Sequence, residues 1–121
     1  MPSKFSKYNN KKVCLDGREF DSRKEARRYA ELMLLLRAGE IKDLEMQKKI
    51  ELIPSQYVDD PTSKKGKRCI EYGVTYIADF VYTDTKTGKT VVEDTKGFKT
   101  KDYVIKRKLA RYLHGIEIKE V

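Results

Sequence analysis

The 121-residue chain has no tryptophan, a single histidine (His114), two cysteines and three prolines. Each scarcity removes a class of chemistry. With one imidazole, and with Cys14 and Cys69 far apart and outside any CxxC spacing, a thiolate or imidazole zinc site is nearly excluded. A metal bound here would be a hard cation held by carboxylate oxygens. A disulfide between the two cysteines is not expected in a reducing compartment. No apolar run approaches the roughly 20 residues needed to cross a bilayer. The N-terminal MPSKFSKYNNKK lacks the apolar segment of a secretory signal, so the expected location is the cytoplasm.

What is abundant is positive charge. Twenty-seven Lys and Arg against 19 Asp and Glu give a net charge of +8. Such a surface favours a polyanionic partner, because each cation that meets a phosphate releases condensed counterions. The cations fall in three groups: Lys4, Lys7, Lys11 and Lys12; Lys64, Lys65, Lys67 and Arg68; and the stretch from Lys96 to Arg111. One such run would read as a solvated face. Three runs with a strong imbalance point to nucleic acid. A membrane surface fits less well, since no basic amphipathic segment carries a large exposed apolar face.

Residues 1–11 show no apolar periodicity and read as a flexible basic arm. Residues 12–121 read as one domain. Asp16-Gly17, flanked by Lys12–Leu15 and Arg18–Phe20, is a two-residue hairpin signal. Ser22 followed by Glu25 is a capping box, and Ala26, Tyr29, Ala30, Met33 and Leu34 follow at helical spacing until Gly39. Beyond a connector holding Ile41 and Leu44, residues 48–53 alternate as a strand stopped by Pro54. The stretch 54–68 is rich in Pro, Asp, Ser, Lys and Gly and reads as a mobile loop.

Residues 70–82 and 90–95 are β-branched and aromatic, and the turn former Thr85-Lys86-Thr87-Gly88 joins them into a hairpin. Thr100 caps a helix running to Leu113 with Gly115 as its stop, where His114 would cap the C-terminal end. Ile116–Val121 alternates as a last strand. The expected fold is α/β, a central mixed sheet flanked by helices, in the order β-hairpin, α, β, β, β, α, β.

Asp94 and Lys96 are two apart on a strand, so their side chains leave the same face. If Thr85–Gly88 forms a four-residue loop, Asp84 pairs with Lys89 and Asp79 lies opposite Asp94. A one-residue slip would place the two on opposite faces. The four-residue register is expected. Facing carboxylates repel and persist most readily around a divalent cation. A structural ion pair between Asp79 and Lys96 is the plainer alternative. Alternation turns Glu93 to the other face, as a solvated or structural residue.

Asp79, then Asp94-Thr95-Lys96, with Glu25 on a preceding helix and a helix and strand following, resembles the PD-(D/E)xK nuclease superfamily, which includes restriction endonucleases and Holliday-junction resolvases. The string FDSRKEARRYAEL, then Gly39-Glu40-Ile41 and a strand after Gln47, looks like small phage-encoded members, for which the location would be a host cytoplasm. The resemblance covers nearly the whole chain and implies a restriction-endonuclease-like core. The departures are Ala78 in place of proline and Asp94 in place of the commoner glutamate.

By that resemblance Asp79 and Asp94 ligate Mg²⁺ or Mn²⁺, the carbonyl of Thr95 completes the site, and Lys96 orients the attacking water and offsets developing charge. Glu25 would hold metal-bound water or a second ion, although its capping box already accounts for it. Lys99, Lys101, Lys106 and Arg107, with Lys64, Lys65, Lys67 and Arg68, would touch phosphates. Gln47 could contact the site, and Tyr103 reads as core. The implied activity is Mg²⁺-dependent cleavage of DNA, branched DNA included. The sequence leaves open whether the chain acts as a homodimer. Other readings are a non-catalytic nucleic-acid-binding module and a basic structural protein.

Overall fold

The computed structural model describes residues 12–96 and 98–121. The arm expected at residues 1–11 lies outside them, as does Gly97. The chain forms two compact units, one of residues up to Leu44 with Tyr82–Thr90, the other of Glu45–Val81 with Val91–Val121.

In the first unit, strands β1 (Val13–Leu15) and β2 (Arg18–Phe20) pair antiparallel, with Val13 opposite Phe20. Asp16 and Gly17 have φ of 53° and 75°, the two left-handed residues that a tight hairpin turn requires. Helix α1 (Arg23–Arg37) starts where Ser22 Oγ accepts the Glu25 N–H at 3.1 Å. It ends in a Schellman motif, in which Glu40 N donates to Leu35 O at 3.0 Å and Gly39 N to Leu36 O at 3.1 Å. Its buried face carries Ala26, Tyr29 and Leu32. Phe20 and Tyr29 ring centroids are 5.0 Å apart.

The main sheet has four strands in the order β3 (Ile41–Ile53), β6 (Val74–Asp84), β7 (Thr90–Asp94) and β8 (Ile118–Glu120). Helix α2 (Lys101–His114) connects β7 to β8, which run parallel with Asp94 beside Glu120, so the sheet is mixed. Asp84 N donates to Lys89 O at 2.9 Å, closing the expected four-residue loop Thr85–Gly88 between β6 and β7. The core of the second unit joins Leu52 of β3, Tyr76, Ala78 and Val81 of β6, Val92 of β7, Tyr103 and Ala110 of α2, and Ile118 of β8. Each large apolar side chain so buried contributes about 1.5–3 kcal/mol. Thr100 Oγ1 caps α2 by accepting from Tyr103 N at 3.1 Å. His114 Nε2 lies 2.8 Å from Leu52 O and ties the end of α2 to β3.

Three expectations are corrected. The strand expected at 48–53 begins at Ile41, because Asp43 and Gln47, at φ 55° and 52°, interrupt the alternation that would reveal it. The strand expected over 70–82 breaks at Tyr72-Gly73. Gly73 N donates to Ser55 Oγ at 2.9 Å, and a Cβ on Gly73 would stand 2.5 Å from Ile53 O, so only glycine permits this approach. Finally, the loop expected at 54–68 contains strand β4 (Gln56–Asp59), which pairs antiparallel with β5 (Lys67–Glu71). Only residues 60–66 remain as a turn. There Asp60 N donates to Gly66 O at 2.8 Å and the Asp60 carboxylate accepts from Thr62 N at 3.0 Å.

Candidate active site

The second unit brings Asp79, Asp94, Thr95 and Lys96 together. Asp79 is held through both oxygens. Its Oδ2 accepts from Thr95 N at 2.9 Å and from Thr95 Oγ1 at 2.8 Å, and its Oδ1 accepts from Gln47 Nε2 at 3.2 Å. Gln47 reaches Asp79 from a left-handed backbone, a conformation that costs energy for a non-glycine residue and tends to persist at functional positions.

Asp94 is fully buried, at 0% exposure. Its Oδ2 accepts a hydrogen bond from the Tyr76 hydroxyl. Its Oδ1 is buried and has no hydrogen-bond partner among the described residues. Lys96 Nζ stands 3.5 Å from that oxygen, too far for a strong hydrogen bond. Burial first, and then the neighbouring Asp79 carboxylate, push Asp94 up to about 7, against the opposing influence of Tyr76 and Lys96. Burial, and then the Asp94 carboxylate, likewise raise the Tyr76 hydroxyl.

Lys96 Nζ also lies 4.7 Å from the centre of the Tyr103 ring, within cation–π range. Tyr103 is buried, as expected of a core residue, but it also supports this ammonium. Its hydroxyl donates to Glu120 Oε2 at 2.7 Å. Glu120 gathers Lys99 at 3.0 Å and Arg107 at 3.1 Å as well. The Tyr103 hydrogen bond, followed by Lys99, draws the Glu120 carboxyl down to about 2.

Of the cations expected to meet phosphates, Lys99 and Arg107 are thus paired with Glu120, Lys106 lies 3.4 Å from Asp102, and Arg68 lies 3.4 Å from Asp60. Lys64, Lys65, Lys67 and Lys101 are exposed. Glu25 is buried on the first turn of α1, in the first unit, with its N–H on Ser22. Of the two readings of Glu93, solvated or structural, the first is corrected: it is at 0% exposure, because β7 is an interior strand buried on both faces at this point. Cys14 and Cys69 are both free thiols.

Tyr76 and Glu120 are the site residues that sequence reasoning passed over. Tyr76 looks like any apolar strand residue, and Glu120 like one more charge in an alternating C-terminal strand. Only their contacts across the fold separate them.

A carboxylate pair with one buried oxygen that accepts no hydrogen bond among the described residues is a concentration of negative charge offset only by Lys96 at 3.5 Å. Among the described residues no three His, Cys, Asp or Glu side chains gather to hold a metal. The residues nevertheless fit Mg²⁺ or Mn²⁺, since Mg²⁺ keeps several waters and is commonly bound through only one or two carboxylates. No described helix is long and apolar enough to cross a membrane.

A family model for proteins of unknown function, DUF1064, matches residues 5–119, and the chain belongs to that family. No curated protein and no solved structure matches it significantly.

Proposed function

We propose that the chain is a Mg²⁺-dependent DNA endonuclease built on a restriction-endonuclease-like core, with Asp79, Asp94 and Lys96 as its catalytic centre. The observation that carries this reading is the pairing of Asp79 with a fully buried Asp94 whose Oδ1 is unsatisfied, beside the Lys96 ammonium. A buried carboxylate with one oxygen left without a hydrogen bond is costly, and such a departure from ordinary packing marks a place where function holds the residue.

Asp79 and Asp94 would hold the ion, with the Thr95 carbonyl as a further oxygen. The bound cation supplies Lewis acidity toward a phosphoryl oxygen and eases ionisation of a water. Thr95 and Gln47 fix the Asp79 carboxylate, so that it needs no reorganisation when substrate arrives. Tyr76 occupies one Asp94 oxygen and leaves the other beside Lys96. Lys96, steadied over the Tyr103 ring, offsets the negative charge that develops as the phosphodiester is attacked. Net positive charge draws the DNA in, and Lys64, Lys65, Lys67 and Lys101 are the exposed cations that would meet its phosphates. Glu25 remains a candidate for a second acidic role.

Labelled duplex, flap and four-way-junction DNA incubated with the purified protein tests this. Cleavage of at least one substrate in Mg²⁺ or Mn²⁺, abolished by EDTA, is expected. Failure to cut any of them with either metal, or equal cutting in EDTA, would overturn the proposal.

A further inference from the structure

The β4–β5 ribbon breaks the rule that a two-stranded sheet needs one face covered. An isolated hairpin is marginal in water, and a third strand or a packed face ordinarily supports it. Here the two strands form a separate sheet, and Tyr57, Val58 and Ile70 are all exposed. Tyr57 is 59% exposed, and Tyr72, just past the end of β5, is 88% exposed. The register sets Tyr57 opposite Cys69 and Asp59 opposite Lys67, so that Tyr57 and Lys67 share a face. The tip from Pro61 to Arg68 holds Lys64, Lys65, Lys67 and Arg68 and no acidic residue.

The ribbon grows from the two strands that carry the active centre. β3, which holds Gln47, leads into β4, and β5 leads into β6, which holds Asp79. The pinch between Ser55 and Gly73 joins the ribbon to them. Asp79 lies six residues along β6 from Gly73, about 20 Å of strand.

Exposed aromatics interleaved with lysines on a β-surface suit unpaired nucleotides. Each base offers a π-face for stacking, while cations follow the phosphates. A ribbon reading paired DNA through the major groove works instead with Arg, Asn, Gln and Lys against base edges. At the root of this ribbon Tyr57, Val58, Ile70 and Tyr72 are exposed beside the polar pair Gln56 and Glu71. A protein partner fits less well, because protein interface cores are depleted of lysine.

We infer that the β4–β5 ribbon binds unpaired DNA bases, with Tyr57 and Tyr72 stacking on them and Lys64, Lys65 and Lys67 meeting the phosphates. This rests on the reading of DNA as substrate and narrows it to DNA that exposes bases, as a single strand, a flap or a branch point does.

Fluorescence anisotropy in EDTA, with an oligothymidylate of about 15 nucleotides, the corresponding oligouridylate and a duplex of equal length, tests the inference. The wild type should prefer the oligothymidylate to the duplex. Tyr57→Ala and Tyr72→Ala should each weaken binding by about tenfold without altering the salt dependence. Tyr57→Phe and Tyr72→Phe should retain it. Lys64→Ala with Lys65→Ala should lower the salt slope instead. Duplex bound as tightly as single strand, tighter binding of the oligouridylate, or indifference to both Tyr→Ala changes would overturn the inference. A wild type that cuts DNA in Mg²⁺ yet ignores both tyrosines leaves the nuclease reading intact. One that binds no DNA overturns the inference, and one that also cuts none with either metal overturns both.

Discussion

Strand β7 and the β4–β5 ribbon, both in the second unit, distribute polarity in opposite ways. β7 buries Glu93 and Asp94 completely, where a strand interior would ordinarily hold Val or Ile. The ribbon exposes Tyr57, Val58 and Ile70, where an unsupported hairpin would ordinarily carry polar residues. The buried Asp94 is held by Tyr76 and Lys96, and one of its oxygens accepts no hydrogen bond among the described residues. Among the described residues the exposed Tyr57, Val58 and Ile70 of the ribbon have no such partners. The first arrangement suits a small cation bound within the fold, and the second suits a large ligand laid against its surface.

The largest effects should come from removing the paired carboxylates. Asp79→Ala and Asp94→Ala are expected to abolish cleavage in a single-turnover assay while leaving the fold and DNA affinity largely intact. Equal cleavage by wild type and both variants would end the comparison, since the carboxylate pair would then have no catalytic meaning. Lys96→Ala should lower the cleavage rate by two to three orders of magnitude, or roughly 2.7–4 kcal/mol of barrier, as for losing one preorganised charge-stabilising donor. Lys96→Arg should not restore it, because a planar guanidinium is bulkier than an ammonium and places its donors differently. Cleavage that survives Lys96→Ala while affinity falls would make this lysine only a phosphate contact.

The pH dependence of stability separates the two carboxyl environments. Asp94 rises from an ordinary 3.8 to about 7 in the folded protein, so between those values the native state binds the extra proton. In the absence of divalent metal, the Asp94 contribution to stability should fall as pH rises through that window. Asp94→Asn should remove this part of the slope in urea melts. Glu120 has the opposite sign: drawn from 4.5 to about 2, it contributes stability above pH 4.5 that is lost as pH falls toward 2. The smallest effect is expected from Glu120→Gln. Its exposed pairs with Lys99 and Arg107 are each worth less than about 1 kcal/mol, and their release should strengthen DNA binding only a few-fold at low salt. Weaker binding in anisotropy titrations would show that Glu120 positions the two cations.

Legibility in the sequence followed range along the chain. The β1–β2 turn, both helix N-caps and the Thr85–Gly88 loop are set by residues within about five positions of one another, and each is found where the sequence puts it. Asp79, Asp94 and Lys96 were readable because one tight turn fixes their register. Tyr76 with Asp94, Tyr103 with Glu120 and the burial of Glu93 depend on contacts between separate strands and helix α2, and leave no local pattern. The ribbon was hidden for another reason. Its strands are four and five residues long and surround a turn rich in Pro, Ser, Lys and Gly, so composition outweighed periodicity. In β3, the left-handed Asp43 and Gln47 erased the alternation itself, and Gln47 then proved to touch Asp79.

Metal binding at the carboxylate pair is tested most directly by calorimetric titration of Mn²⁺ at pH 8, repeated on Asp79→Ala, Asp94→Asn and Lys96→Ala, with melting temperatures measured alongside. The wild type should bind Mn²⁺ and melt higher in its presence, as expected when a ligand binds only the native state. Both carboxylate variants should lose the binding and the shift, while Lys96→Ala keeps them. No binding by the wild type, or undiminished binding by Asp79→Ala and Asp94→Asn, would contradict the assignment of the metal to Asp79 and Asp94.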